Sequence, residues 1–267
     1  MTGPANLSYL TLHYAFQQKV AIVTMNRPEV RNAFNAQFIA EMTQLLTELS
    51  LDEGLHAVVL AANGSAFSSG ADIQMMQEAI SFSKQENIHE AQRLIDLLQL
   101  IYTFPCPVVA RIQGDAYGGG LGLIAACDLA IAAEGARFAF SEVKLGIAPA
   151  VIAPYVIRKI GESYARVLFV TGERFSATRA QQIGLIHSIV PPDQLDNALQ
   201  KALTELASSA PKALRACKVL ALTAGQMDDA IAYHSTAETI AGLRASPEGQ
   251  EGLRAFLEKR RPDWQNA

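Results

Sequence analysis

The feature that most narrows the fold of this chain is a change of periodicity near Asp193. Before it, runs of strand length are separated by longer stretches with apolar residues at helical spacing; after it, only helical patterns follow. Tyr9–Tyr14 and Lys19–Met25 read as two strands of a hairpin turning around Gln17, and Asn26-Arg27-Pro28 ends the second, because proline cannot donate to a ladder. Asn35 is placed to cap a helix over Ala36–Leu51, whose Phe38, Ile39, Met42, Leu45, Leu46 and Leu49 share one face. Ala57–Ala61 is a buried-strand run ending in the loop Asn63-Gly64-Ser65, and a second long helix covers Gln85–Thr103, stopped by Pro105 and Pro107. Val108–Ile112 is the next strand, Gly118-Gly119-Gly120 opens an apolar helical run to Ala126, and Leu129–Ala132 and Arg137–Phe140 are strand-like. Repeated strand, strand, helix order predicts an α/β class with crossover helices outside the sheets.

The C-terminal part reads as four helices, Gln194–Ser208, Pro211–Thr223, Asp228–Ala245 and Pro247–Arg260, with Pro211 and Pro247 at first-turn positions that tolerate proline. The expected organisation is therefore an α/β core over 1–192 and a helical region over 193–267. A helical piece of that size builds little core alone, so it is expected to fold back on the body or to pack on another subunit.

Composition sets the function classes aside. Of 267 residues 50% are hydrophobic and 18% charged, which is globular composition. A net charge of −4 gives no concentrated positive face for nucleic acid. Cys106, Cys127 and Cys217 are far apart and odd in number, which excludes a disulfide framework and a cysteine-rich zinc site. His13, His56, His89, His187 and His234 show no ligand spacing, so no metal is expected. Met1–Gln18 lacks the pattern of a leader, and Val108–Ala133, the most apolar stretch, is interrupted by Arg111, Asp115 and Asp128, so the expectation is a cytoplasmic protein without a membrane span.

Two loops share one physical logic. Ala66-Phe67-Ser68-Ser69-Gly70-Ala71-Asp72-Ile73 follows the strand Ala57–Ala61, and Gly114-Asp115-Ala116-Tyr117-Gly118-Gly119-Gly120-Leu121 follows Val108–Ile112. Each sets small residues where free backbone N–H groups can receive a developing negative charge. Two such donors on one oxygen form an oxyanion hole. Taken singly, each loop equally fits a tight turn with close backbone packing. The glycines match neither the dinucleotide spacing GxGxxG nor a phosphate loop. Ser68 and Ser69 have no GxSxG elbow around them, which excludes an acyl-serine hydrolase.

Glu142 stands in the nearly apolar segment Phe138–Pro149. By spacing alone it is either a surface glutamate paired with Lys144 or a carboxyl whose surroundings raise its pKa and fit it to shuttle a proton. His187 and Cys127 read as structural, and Tyr117 either packs or lines a pocket.

The fragments Asn26-Arg27-Pro28, Phe67–Ile73, Tyr117–Gly120 through Asp128, Phe140–Gly146, Thr171-Gly172-Glu173-Arg174, Ala180–Leu185 and Glu251–Arg260, taken in order, resemble the crotonase (enoyl-CoA hydratase/isomerase) family across essentially the whole chain. That resemblance implies a crotonase-like spiral of ββα units with C-terminal helices that build trimers, commonly paired into hexamers. It implies an acyl-CoA thioester as substrate, no cofactor beyond the CoA of that substrate, and an enolate stabilised at the thioester carbonyl. Ala71 and Gly119 N–H take the oxyanion-hole positions and Glu142 the catalytic carboxyl. Ser68, Ser69, Gly70, Asp72 and Ile73 match the loop that cradles CoA. Tyr117 and Gly118 flank the hole, and Phe256 and Lys259 match C-terminal positions that cover CoA, often from another subunit.

One position departs from the pattern. Two-glutamate hydratases carry an acid two residues after the glycine run; here that residue is Gly122. The missing side chain suggests an empty volume that admits a bulkier acyl chain or a substrate carboxylate. The segments Gly122–Asp128, Phe140–Leu145 and Ile147–Ile152 look most like bacterial methylglutaconyl-CoA hydratases of leucine breakdown, with Lys144 and Arg158 as candidate carboxylate anchors. An enoyl-CoA isomerase, which needs one carboxyl, and a non-catalytic CoA-binding oligomer remain alternatives.

Overall fold

A computed structural model describes residues 9–265; the segment 1–8, part of the stretch read for a leader pattern, lies outside them. Gln18 and Lys19 both take left-handed backbone angles (φ 48° and 65°), the geometry that a two-residue hairpin turn needs. They join strands β1 (Leu12–Gln17) and β2 (Val20–Met25), paired from Leu12↔Met25 to Gln17↔Val20. The first strand thus lies a few residues later than its apolar residues predict, because this turn fixes the register.

Helix α1 (Ala36–Ser50) starts where expected, with the Asn35 side chain accepting from Phe38 N–H at 2.8 Å. Strand β3 (Ala57–Ala62) leads through a short loop to β4 (Ala66–Ser68), then to helices α2 (Ile73–Ser81) and α3 (Lys84–Tyr102). Two further turns repeat the plan: β5 (Val108–Ile112), β6 (Asp115–Tyr117) and α4 (Gly119–Ala126), then β7 (Leu129–Ala133), β8 (Arg137–Ala139) and α5 (Ala153–Thr171). After them come β9 (Phe175–Ser176), α6 (Ala177–Gln182) and β10 (Ser188–Val190). The chain then runs through α7 (Leu195–Ser208), α8 (Pro211–Thr223), α9 (Asp229–Ala245) and α10 (Pro247–Leu257).

The first strand of each turn joins a six-stranded sheet, order β1-β2-β3-β5-β7-β10, and the second joins a four-stranded sheet, order β4-β6-β8-β9. The chain is therefore a spiral of ββα units. Strand β3 shows how the larger sheet, parallel from β2 through β10 with β1 antiparallel at its edge, is covered on both faces: Val58, Leu60 and Ala62 point into the main core, while Ala57, Val59 and Ala61 point to the other side. That second face is covered by Leu195, Leu199 and Leu203 of α7. The helical C-terminal region thus begins with a helix integral to the body.

Two elements gave no strong signal in the sequence. In α2 no residue is buried, and its nine residues are too short a window for the spacing of Ile73, Met76 and Ile80 to stand out. Helix α5 is broken at Gly161 (φ 75°, ψ 162°), which splits its apolar periodicity. Helix α9 buries no residue at all, and Ile231, Tyr233 and Ile240 are exposed on it. No helix among the described residues is long and apolar enough to cross a membrane.

Candidate active site

Strands β4, β6 and β8 are adjacent and parallel, about 4.8 Å apart. Just past their C-terminal ends stand Gly70-Ala71, Gly118-Gly119 and Ser141-Glu142. Three consecutive turns of the spiral thus deliver the three predicted features side by side.

The first donor is aimed by a parallel bridge between Phe34 and Ala71. Phe34 N–H donates to Gly70 O at 2.7 Å and Asp72 N–H donates to Phe34 O at 2.8 Å, which turns the N–H of Ala71 to the opposite side. The loop is locked from below. Ser68 is fully buried, its hydroxyl donating to Asn32 O at 2.9 Å and accepting from Gly70 N–H at 3.2 Å. Asp72 caps α2 by accepting from Gln74 N–H at 3.0 Å and pairs with Arg27 at 2.8 Å. Burial pushes the Asp72 carboxyl up, yet the bond from Gln74 and the Arg27 guanidinium outweigh it and hold the pKa below its ordinary value.

The second donor heads α4. Gly118 takes φ +49°, and a Cβ there would stand 3.1 Å from Glu142 Oε1, so a side chain would be strained and crowd the carboxyl. Gly70 approaches the same point: its missing Cβ would lie 3.5 Å from Gly119 N. Among the described residues neither Ala71 nor Gly119 N–H has a backbone acceptor. Two free donors therefore converge at the positive end of a helix. At the other end of α4, Lys159 donates to the carbonyls of Ile124 and Cys127.

Glu142 lies in a 3-10 turn, Ser141–Leu145, directly beside them. Its Oε2 is buried with no hydrogen-bond partner, and it forms no ion pair with Lys144 among the described residues. Burial raises its pKa above the ordinary carboxylate value, as a proton shuttle requires.

These groups line one cavity of about 260 Å³, with Phe34, Ile39, Met75, Met76, Leu94, Leu145, Ile147, Val151 and Ile152 as its apolar wall. The volume lies just under the usual range for small-molecule pockets, about 300–1,000 Å³, so it has room for one small group, with any larger remainder outside. A larger cleft of about 610 Å³, between the hairpin turn, α7 and Trp264, has no carboxyl in its lining.

The structure sorts the remaining predicted residues. Ser69 lines the cavity; Ser68 and Asp72 support the loop with their side chains instead of facing a ligand. Ile73 is 72% exposed at the start of α2 and outside the cavity. Tyr117 turns away: its hydroxyl donates to Asp115 at 2.8 Å and Arg174 sits over its ring, so it does not line the cavity. Phe256 and Lys259 are exposed and reach no part of this chain's own cavity. Lys144 is exposed and Arg158 lies over the Tyr102 ring, so neither anchors a group in the cavity.

Gly122 corrects the sequence reading most directly. It does not face an open space: a Cβ there would meet Ile152 Cγ2 at 2.3 Å. The side chain missing at 122 is replaced by one from thirty residues on, which its glycine alone could not reveal. His187 accepts from Ala130 N–H at 3.0 Å and Cys127 is buried, its thiol pushed up to about 12 by burial, both in keeping with structural roles. Phe34 and Ile152 are site residues that the sequence reading did not single out. Only the apolar run before Pro154 hints at the second.

The enoyl-CoA hydratase/isomerase family model matches residues 15–267. The chain belongs to that family. Among solved structures, an enoyl-CoA hydratase from Shewanella pealeana is 40% identical, covers 95% of this chain and 96% of its own, and superposes with a TM-score of 0.91. A 2,3-dehydroadipyl-CoA hydratase of Escherichia coli is 32% identical over 93% of this chain and 96% of its own length. A short-chain-enoyl-CoA hydratase of Clostridium acetobutylicum is 32% identical over 91% and 93%. The expected α/β crotonase-type fold and the enzyme class, an enoyl-CoA hydratase/isomerase, are thereby shown.

Proposed function

We propose that this enoyl-CoA hydratase/isomerase family member hydrates, or in reverse dehydrates, a short branched enoyl-CoA carrying a carboxylate, of the 3-methylglutaconyl-CoA kind met in leucine breakdown. The observation that carries the hydratase reading is the unpartnered Oε2 of Glu142, buried beside two unengaged N–H groups. The thioester oxygen accepts from Ala71 and Gly119 N–H. Glu142 takes a proton from water as its oxygen bonds to C3, and the C2–C3 electron pair moves into an enolate held by the two donors. The protonated Glu142 then returns that proton to C2, and the enolate collapses to the saturated thioester. One carboxyl suffices because it acts twice in sequence.

The carboxylate end finds no lysine or arginine in the described cavity lining. It finds instead the start of α5: Val151 and Ile152 line the cavity, and their N–H groups have no backbone acceptor among the described residues. The Escherichia coli relative, whose named substrate is a dicarboxylic enoyl thioester, supports the same class.

The single carboxyl also fits isomerisation, in which Glu142 removes a proton at C2 and returns it two carbons away without water. Mass spectrometry in heavy-oxygen water separates the readings, with methylglutaconyl-CoA, crotonyl-CoA and a 3-enoyl-CoA as substrates. Label entering the carboxylated thioester, and lost in Glu142→Gln, is the expected result. A double-bond shift without label would replace hydration by isomerisation. Binding of thioesters with no turnover would leave a CoA-binding oligomer.

The exposed apolar side chains of α9, with Leu253, Phe256 and Leu257, support assembly into a homo-trimer or hexamer in which Phe256 and Lys259 reach a neighbouring CoA site. Sedimentation velocity should give three or six times the 28.8 kDa chain, and a monomer at micromolar concentration would rule the assembly out.

A further inference from the structure

The contact between Gly122 and Ile152 joins two places that are treated separately in the chain: the packed interior of α4 and the wall of the acyl cavity. Ile152 is 2% exposed and lines the cavity, while its Cγ2 fills the position a Cβ at 122 would take, 2.3 Å from the ideal site. Leu98 Cδ1 stands 3.4 Å from that same site and closes the space from the side of α3. The backbone of Ile152 is pinned, because its carbonyl accepts from both Tyr155 and Val156 N–H at 3.1 Å. Anything added at 122 must therefore push the isoleucine side chain, and the free direction is the cavity.

We infer that Ile152 and Gly122 share one volume and together set how bulky an acyl group the enzyme accepts. Ile152 is thus a specificity-determining residue, and Gly122 acts only through it. The inference rests on the acyl-CoA reading above. It concerns the wall beside the reacting carbons, so it adds a determinant of chain shape to a site whose chemistry lies with Glu142 and the two N–H donors. One methyl group gained or lost in an apolar pocket changes discrimination by about 10-fold or more.

The test is a cycle of Gly122→Ala, Ile152→Ala and the double variant. Ile152→Val is run alongside as a milder change that keeps the β-branch, and thermal unfolding identifies the folded variants. Two quantities are read for each: kcat/KM on methylglutaconyl-CoA relative to crotonyl-CoA, and calorimetric Kd for saturated isovaleryl-CoA relative to butyryl-CoA. The expected result is that Gly122→Ala lowers preference for the branched member by about 10-fold, Ile152→Ala raises it, and Ile152→Val moves it the same way by less. The double variant should return to within about twofold of wild type, because the new Cβ occupies volume that the truncated side chain vacates.

Uniform losses on branched and unbranched thioesters, with no restoration in the double variant, would overturn the inference and leave Ile152 as core packing. Shifted binding preference without turnover would sustain it while refuting the hydratase reading. Turnover with unshifted preferences would do the reverse. If the wild-type protein binds none of the thioesters, both fall.

Discussion

Glu142→Gln should make the protein less active and more stable, and the second effect should depend on pH. In the native structure Oε2 is buried without a partner, and burial raises the carboxyl's pKa above the ordinary 4.5. The unfolded chain hydrates that group freely, so the folded state binds the proton more tightly. Below pH 4.5 both states are protonated and the carboxyl carries no ionisation penalty. As pH rises through the folded value, ionisation favours the unfolded chain and native stability falls. An uncompensated buried oxygen costs about 1–3 kcal/mol, and glutamine, neutral but still imperfectly paired, should recover roughly 1 kcal/mol of it at pH 8. For a chain of this length that is a rise of about 2 °C in Tm. Over the same exchange kcat should fall by about 100-fold or more, since glutamine cannot take a proton from water. Calorimetric melts of both proteins at pH 4 and pH 8, paired with hydration rates, are the assay. A Tm difference identical at the two pH values, or a glutamine variant less stable at pH 8, would refute the assignment of Glu142 as a desolvated, unpaired carboxyl.

The backbone donors and supporting contacts are testable in the same way. Gly119→Pro removes the N–H at a helical position that tolerates proline and should lower kcat by about 100-fold; Gly119→Ala, whose Cβ meets Phe34 Cε2 at 3.0 Å, controls for the added bulk. Equal losses in the two variants would deny the donor its role. Asp72→Asn keeps a capping side chain but breaks the largely buried pair with Arg27, so it should cost about 1–2 kcal/mol at pH 7 in denaturant titrations. Because the folded-state pKa of Asp72 is lowered, that stabilisation is present above the ordinary value of 3.8 and the gap should close as pH falls through the folded value. Lys218→Met removes a 6% exposed side chain and leaves Asp128, 29% exposed and still accepting from Val108 N–H, without its 2.6 Å partner, so it should cost about 1–2 kcal/mol, read from the urea midpoint; no measurable change would mean the pair adds nothing to stability.

What the sequence reveals follows from how local each determinant is. Asn35 and the apolar face of α1 lie within one helix, and their prediction holds to a residue. The hairpin register depends on which two residues turn, and Gln18-Lys19 lacks the Asn-Gly or Gly signal that would have located it. The two donor loops are legible as loops, yet their convergence at Gly70 and Gly119 comes from pairing β4 with β6, which no short window contains. The reading of Gly122 as open space shows the same limit more sharply. A glycine says that its own side chain is absent, and whether that leaves a void depends on Ile152, at the head of a different helix. The family resemblance assigns Tyr117 and Asp72 to ligand contact by their neighbours in sequence, whereas their side chains are taken by Asp115 and Arg27.

The row formed by the ends of β4, β6 and β8 works as a ruler. The two free N–H groups follow the first two strands and the Glu142 carboxyl follows the third, so hydrogen-bonded strand spacing, about 4.8 Å per step, sets how far apart the backbones that carry them stand. Substitutions among the apolar residues of the cavity wall leave that backbone interval in place. On the proposed reading, the acyl group accepted can drift with the cavity wall while the backbone spacing between the oxygen-binding donors and the carboxyl stays fixed.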